Sequence, residues 1–159
     1  MRVAFDLDGE ATTVETPPDR PLRDLLRAEC DVTSVKNGCD SGRCGACTVL
    51  LDGEPVKSCL VLAAKVDGRS VTTVAGIEDG SLGREVQDAF EAHFALQCGY
   101  CTPGFVLSAL SYVDDDPDPD RAAVRSALSG NVCRCTGYEK ILDAVEAVAD
   151  RRSDGGTDD

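Results

Sequence analysis

The sequence predicts an α+β protein in two parts, a small unit of strands and one helix followed by a unit of four helices. Apolar residues alternate with a period of two in segments up to about residue 75, and the pattern changes to helical spacing after Gly76. The chain also has nine Cys but only four Phe, three Tyr and no Trp. Two halves this small with so few large apolar side chains need a further source of stability, such as bound metal. We therefore expect domains at 1–76 and 77–152 and a disordered acidic tail at 153–159.

The first unit is predicted from alternating segments and turn dipeptides. Val3, Phe5 and Leu7 alternate with other residues ahead of Asp8-Gly9, a strong hairpin signal. The predicted elements are a hairpin over 3–16, a helix over 21–29, a strand over 48–51 that turns at Asp52-Gly53, and a last strand over 71–74. Together they make a small α+β unit.

The second unit is predicted from helical spacing of apolar residues. The expected helices cover 82–95, 103–113, 119–129 and 138–151, with the acidic run 114–120 as a loop. Asp118-Pro119 is typical of a helix start, and Thr136 with Glu139 has the spacing of a capping box. Four helices of this length favour a compact bundle.

Charge and hydropathy exclude several classes of partner. The chain has 29 Asp and Glu against 16 Lys and Arg, a formal net charge of −13. Such a field repels the phosphate backbone of nucleic acids and anionic membrane surfaces. The sequence has no apolar run of membrane-spanning length and no signal-peptide pattern at its start, so we expect a cytoplasmic protein. Cysteines kept reduced in that compartment bind metal more often than they form disulfides.

Four cysteines in the first half, here called the first quartet, form the strongest motif: Cys39, Cys44, Cys47 and Cys59. Their C-x4-C-x2-C spacing with a distant fourth Cys is typical of plant-type [2Fe–2S] clusters. Small residues between the three loop cysteines let the backbone approach bound sulfide and turn its N–H groups inward. Structural zinc is disfavoured, because zinc sites prefer paired C-x2-C knuckles.

Four cysteines in the second half form the second quartet: Cys98, Cys101, Cys133 and Cys135. Their spacing alone leaves zinc, a thioredoxin-like redox pair and an iron–sulfur cluster open. Each pair stands just before a predicted helix, with Thr102 and Thr136 as expected N-caps. Two helix N-termini directed at one spot stabilise an anionic site. This argument favours a metal centre over a bare thiol pair, but it does not separate iron from zinc.

Three segments together resemble the iron–sulfur subunit of the molybdenum hydroxylases, the family of xanthine dehydrogenase, aldehyde oxidoreductase and carbon monoxide dehydrogenase. The segments are GCDSGRCGACTVLLDG at 38–53, QCGYCTPGF at 97–105 and GNVCRCTGYEKI at 130–141. The resemblance extends from about Val3 to Val148. It implies a plant-ferredoxin-like β-grasp domain followed by a four-helix domain, each with one [2Fe–2S] cluster.

The resemblance also implies partners and a role. In such enzymes a large subunit carries the molybdopterin cofactor and the substrate site, and a medium subunit carries FAD. The small subunit passes electrons between them, the first quartet holding the cluster nearer the flavin and the second quartet the one nearer molybdenum. Gln97 and Cys135 match family positions that contact the pterin. This chain would then hold no substrate site of its own.

Two other functions remain open at this point: a free-standing two-cluster ferredoxin-like carrier and a zinc-stabilised interaction module. Neither explains why an amide, Gln97, directly precedes a ligand of the second quartet. The ninth cysteine, Cys30, is expected to be a small buried apolar residue. The sequence has no phosphate-binding loop and no Ser/His/Asp arrangement, so no catalytic residue is assigned.

Overall fold

The computed structural model describes residues 1–155, and its first half is a five-stranded mixed sheet with one helix. The elements are β1 (Arg2–Leu7), β2 (Glu10–Glu15), α1 (Leu22–Ala28), β3 (Thr48–Leu51), β4 (Glu54–Lys57) and β5 (Ser70–Thr72). The strand order is β2-β1-β5-β3-β4, with β1 and β5 parallel and the other neighbours antiparallel. This is the predicted α+β unit, in which the last strand pairs between the two hairpins.

The core of this half lies between the sheet and α1. Leu22, Leu25 and Leu26 form the fully buried face of α1, as their helical spacing predicts. They pack with Val3 of β1 and Val71 of β5. Cys30, which was expected to be buried, is only partly buried and packs against the same cluster.

The second half consists of the four predicted helices around a separate core. They are α2 (Leu82–Ala92), α3 (Thr102–Asp115), α4 (Arg121–Ala127) and α5 (Glu139–Gly155). Phe90, Phe105 and Ile141 are the largest side chains fully buried in this core. In the part of the chain that the structure describes, no helix is long and apolar enough to cross a membrane.

Several element ends differ from the predictions. The helix α3 runs to Asp115, two residues into the predicted loop 114–120, and α4 covers Arg121–Ala127 instead of 119–129.

Two further ends differ because of local backbone geometry. The first helix of the bundle stops at Ala92 rather than at residue 95, because Phe94 adopts the left-handed conformation with φ of 53°. The Ala95 N–H then donates to the Phe90 carbonyl at 2.8 Å, closing the helix end as a Schellman motif does. The last strand ends at Thr72, and a short 3-10 turn follows at Val74–Gly76.

The predicted helix caps were wrong. The side chain that caps α4 is Asp120, which accepts from the Ala123 N–H, and not Asp118. Thr102 lies inside the first turn of α3. Thr136 lies ahead of α5 and bonds a cysteine sulfur instead of capping the helix.

The predicted tail also differs in its first part. The last helix continues through Ser153 to Gly155, where the sequence predicted disorder. The rest of that predicted tail, 156–159, lies outside the described residues.

Candidate metal centres

The first quartet is built on one loop, 37–47, here called the ligand loop, which connects α1 to β3. Its fourth member, Cys59, follows β4 and returns to the loop because β3 and β4 form a hairpin. Left-handed conformations at Asp40, Gly42 and Gly45 wind the loop tightly. The N–H groups of Ser41 and Cys44 consequently point to Cys39 Sγ, at 3.5 and 3.4 Å.

These donors favour a thiolate at the outer end of the first quartet. Hydrogen bonds from the Ser41 side chain, and then from backbone N–H groups of the ligand loop, lower the pKa of Cys39 to about 6. Cys39 is therefore ready to bind iron at neutral pH, because the thiolate is the ligand form. Burial raises the pKa of Cys44 and of Cys59, so these thiols release their protons on metal binding.

The second quartet is built by two separate segments of the helical half. Cys98 and Cys101 lie in the turn before α3, and Cys133 and Cys135 lie in the loop before α5. Cys101 is the N-cap of α3, whereas residues 136–138 separate Cys135 from the start of α5 at Glu139. Helix N-termini stabilise negative charge. Cys98 and Cys135 are exposed, whereas Cys133 is buried.

One side chain and two backbone N–H groups donate hydrogen bonds to a sulfur of this second site. The Thr136 hydroxyl donates to Cys133 Sγ at 3.1 Å, and the N–H groups of Cys135 and Thr136 donate to it at 3.4 Å. Burial acts to raise the pKa of Cys133, but these hydrogen bonds outweigh it and lower the pKa below its usual range. Burial, together with the neighbouring Cys133 thiol, raises the pKa of Cys101 to about 12.

The thiols of both quartets face each other in pairs. The Cys98 and Cys135 sulfurs lie 3.7 Å apart. A hydrogen bond with a neighbouring thiol acts to raise the pKa of Cys44 (with Cys39), of Cys59 (with Cys47) and of Cys101 (with Cys133). Within residues 1–155, no three or more His, Cys, Asp or Glu side chains are arranged to hold one metal ion. Two facing pairs fit a rhombic [2Fe–2S] cluster, whose two irons each take two thiolates, better than a single tetrahedral zinc.

The ligand loop also has the space that a cluster requires. A Cβ on Gly38 would lie 2.6 Å from Cys44 Sγ, so only glycine leaves this side of the thiols open. The site thus has N–H donors directed at sulfur, thiols in pairs and the space left by Gly38. These are the features that an iron–sulfur cluster requires. The residues present therefore fit the group that the spacing predicts.

The structure brings the two sites into direct contact, which the sequence did not predict. The Val132 N–H, next to Cys133, donates to the carbonyl of Cys44 at 2.8 Å. The buried Asn131 donates from Nδ2 to the Gly45 carbonyl at 3.3 Å and accepts from the Ser108 hydroxyl of α3 at 2.9 Å. One hydrogen bond thus joins a first-quartet residue, Cys44, to the neighbour of a second-quartet residue, Cys133.

Close approach at this contact depends on glycine. Gly45 has φ of +71°, and a Cβ there would lie 2.6 Å from both Asn131 Nδ2 and the Gly130 carbonyl. Tyr138 is a second residue that the sequence did not single out. Its hydroxyl accepts the Cys133 N–H at 3.0 Å, and its φ of 72° directs it back from the start of α5.

Gln97 lies at the surface beside the second quartet. Its Nε2 donates to the Cys135 carbonyl at 3.1 Å, which fixes the amide against the cluster loop. Exposed apolar side chains precede Gln97 closely in the chain, namely Phe94 and Leu96. An exposed apolar area next to exposed ligands is typical of a surface that meets another protein.

Comparison with known proteins agrees with this geometry. The family described as "2Fe-2S iron-sulfur cluster binding domain" matches residues 5–76, and the family described as "[2Fe-2S] binding domain" matches residues 73–146. The small subunit of nicotine 6-hydroxylase from Paenarthrobacter nicotinovorans is 47% identical over 145 residues, 91% of this chain and 87% of that protein. The xanthine dehydrogenase iron-sulfur-binding subunit of Escherichia coli O157:H7 is 40% identical, covering 91% of this chain and 92% of that protein.

A solved structure extends the similarity to the whole fold. A chain of quinoline 2-oxidoreductase from Pseudomonas putida 86 superposes with a TM-score of 0.90 and 43% identity, covering 98% of this chain and 97% of that one. Both halves of the chain therefore share a common fold with this solved chain. The chain belongs to the family of iron–sulfur subunits of the molybdenum hydroxylases and is an oxidoreductase component with two [2Fe–2S]-binding domains.

Proposed function

We propose that this chain relays electrons from a molybdopterin site on a large partner subunit to FAD on a medium partner subunit. Domain 1–76 would hold one [2Fe–2S] cluster through the first quartet, and domain 77–152 the other through the second quartet. Each cluster, when bound, accepts and releases single electrons. We expect the assembled complex to work in the cytoplasm, where free thiols stay reduced.

The hydrogen bond between Val132 N–H and the Cys44 carbonyl carries this proposal. It joins the backbone next to Cys133 to the backbone of a first-quartet residue, so both cluster sites belong to one continuous path. A zinc-stabilised interaction module has no use for such a connection.

Exposed ligands give each site an outer edge. Cys39 of the first quartet is exposed, as are Cys98 and Cys135 of the second. The inner edges meet at the contact between Cys44 and Val132. A relay between two partner proteins needs this arrangement, because electrons must enter at one outer edge and leave at the other.

Gln97 is the residue we propose as the contact with the pterin. Its Nε2 is committed to the Cys135 carbonyl, so its amide oxygen remains as an acceptor and its second N–H as a donor. Cys135 itself is exposed in the same place. Both family positions expected at the pterin therefore present groups to the same outer surface.

Affinity purification of the native complex, with a tag on this chain, tests the proposal. We expect about four irons per chain, with molybdenum and FAD in the co-purified subunits. Iron without molybdenum and flavin would favour the free-standing carrier instead. Two zincs per chain would contradict both redox functions.

Substituting Gln97→Ala tests the pterin contact within that complex. The variant leaves all eight thiols in place, so iron content should not change. Loss of a buried amide contact at the interface costs about 1–3 kcal/mol, and we expect weaker molybdenum retention. Unchanged molybdenum content and unchanged turnover would show that Gln97 is only a surface amide.

A further inference from the structure

Arg23 is a charged side chain buried beside the first metal centre. It is the second residue of α1, and its side chain is only 8% exposed. Its backbone N–H donates to the Ser58 carbonyl at 3.1 Å, next to Cys59. A buried guanidinium is costly unless its donors are satisfied, so its partners indicate what it holds in place.

Those partners lie mainly on the ligand loop. Arg23 donates to Asn37 Oδ1 at 3.0 Å and forms a close ion pair with Asp40. The third partner, Asp24, belongs to α1 itself and receives two hydrogen bonds, at 2.6 and 2.8 Å. Asn37 and Asp40 lie on either side of Cys39 in the chain. One guanidinium therefore binds the ligand loop on both sides of a single proposed ligand.

The ion pair with Asp40 is the contact through which Arg23 affects Cys39 Sγ. Asp40 adopts the left-handed conformation with φ of 53°, and this turn precedes the N–H groups of Ser41 and Cys44. Both N–H groups point to Cys39 Sγ. If the ion pair with Arg23 is lost, Asp40 no longer holds the turn in place. The two N–H groups then no longer point to Cys39 Sγ.

We infer that Arg23 is a positioning residue that raises the reduction potential of the first cluster by holding Asp40. Hydrogen bonds to the ligand sulfurs stabilise the reduced cluster, which carries one more negative charge, and so they raise the potential. The inference rests on the proposed ligation by the first quartet. It does not require the partner subunits.

Substituting Asp40→Asn separates this positioning role from a direct effect of charge. Removing a negative charge near the cluster would by itself raise the potential, because the reduced state would then be less disfavoured. Weakening the ion pair with Arg23 should lower the reduction potential of the first cluster, because the N–H groups of Ser41 and Cys44 are then no longer directed at Cys39 Sγ. Asn tolerates the left-handed region as well as Asp, so the backbone requirement at this position is unchanged.

The experiment is a redox titration of the full chain with both clusters bound, followed by electron paramagnetic resonance. For Asp40→Asn we expect the reduction equilibrium of the first cluster to shift about tenfold toward the oxidised form, or about 59 mV for a one-electron couple. The second cluster should keep its potential and serves as an internal control. A first-cluster potential equal to or above wild type would overturn the inference.

Two further variants keep the test decisive. Arg23→Lys retains the charge, but one ammonium cannot bond Asn37 and Asp40, as Nη1 does, and also hold Asp24, as Nε and Nη2 do. The potential should therefore again fall. An unchanged value would contradict positioning, even if Asp40→Asn loses its cluster. Asp24→Asn is the matched control, because it removes the same charge from the same guanidinium but outside the ligand loop. We expect no fall in potential for this variant, and a fall equal to that of Asp40→Asn would also overturn the inference.

The wild-type chain distinguishes failure of this inference from failure of the proposed ligation. If wild-type protein shows only one cluster signal, the proposed ligand set is wrong. If it shows two signals and the variants do not move the first, only the role of Arg23 is wrong.

Discussion

The two metal centres bind the same kind of cluster but are built in different ways. The first draws three of its four thiols from one loop, 37–47, and the N–H groups directed at Cys39 come from that same loop. The second collects its thiols from two segments. Its Cys133 Sγ accepts from the Thr136 hydroxyl as well as from two backbone N–H groups, and the Tyr138 hydroxyl accepts the Cys133 N–H. The first site therefore depends on the backbone conformation of one loop, and the second site depends on how helices pack.

This difference teaches where each centre is sensitive to substitution. At the first centre, residues that fix the loop conformation matter, such as Asp40 and Gly45 with their positive φ. At the second centre, a hydroxyl group matters as well, because the Thr136 hydroxyl donates to Cys133 Sγ at 3.1 Å, closer than the two backbone N–H groups at 3.4 Å. Asn131 joins the two centres and so belongs to both.

The largest effect should come from removing one thiol at each centre. Cys44→Ser and Cys101→Ser should each reduce the iron content from about four to about two per chain, because the quartets do not share a ligand. In the assembled complex, Cys44→Ser should also leave FAD oxidised while the second cluster is reduced in rapid-mixing spectra.

Loss of all iron from either variant would show that the centres assemble together and are not independent. Flavin reduction at the wild-type rate in Cys44→Ser would show that the first cluster lies off the electron path.

Thiol reactivity in the chain without its clusters should differ strongly between the two centres. Cys39, with a pKa of about 6, is mostly thiolate at pH 7, whereas Cys101, with a pKa of about 12, is almost entirely protonated. The thiolate of higher pKa is intrinsically more nucleophilic, which offsets part of this difference, so we expect Cys39 to react about a hundredfold faster. Alkylation with iodoacetamide followed by peptide mass spectrometry measures both rates.

The pH dependence of alkylation has a defined sign. The rate at Cys39 should fall as the pH drops through about 6, because its thiolate becomes protonated. The rate at Cys101 should keep rising up to a pH of about 12. Equal rates at pH 7 would contradict the difference in environment between the two thiols.

Asn131→Ala should weaken the connection between the centres. It leaves the Gly45 carbonyl and the Ser108 hydroxyl without their shared partner, at an expected cost of about 1–3 kcal/mol in the free energy of unfolding. Urea unfolding followed by circular dichroism measures this cost. Ser129→Ala, an exposed position in the same turn, is the control and should change stability by less than about 0.5 kcal/mol.

The smallest effect should be a shift in the reduction potential of the second cluster, with no change at the first cluster. Thr136→Val removes the hydroxyl that donates to Cys133 Sγ, so the reduction equilibrium of the second cluster should move about tenfold toward the oxidised form. Thr136→Ser keeps the hydroxyl and should behave like wild type. A shift in the first cluster would show that the hydroxyl acts through the contact at Asn131 and not at the sulfur itself.

Much of this protein could be predicted from its sequence because its signals are local. The hairpin turn at Asp8-Gly9, the buried face of α1 and the spacing of the first quartet each lie within a short stretch of chain. Helix existence was also predictable from periodicity. Helix ends were less so, since the caps depend on backbone conformations such as that of Phe94, a bulky residue that sequence rules do not expect at positive φ.

The sequence by itself determined the α+β order, the four helices and the two groups of cysteines, since periodicity and spacing act between near neighbours. Only the tertiary structure decided that Val132 meets Cys44, that Asn131 bridges Gly45 and Ser108, and that Arg23 holds Asp40. The physical reason is that each of these contacts joins segments whose approach depends on packed cores and on glycines that permit close contact. Spacing along the chain records which residues can bind metal, whereas packing sets how the two centres are connected.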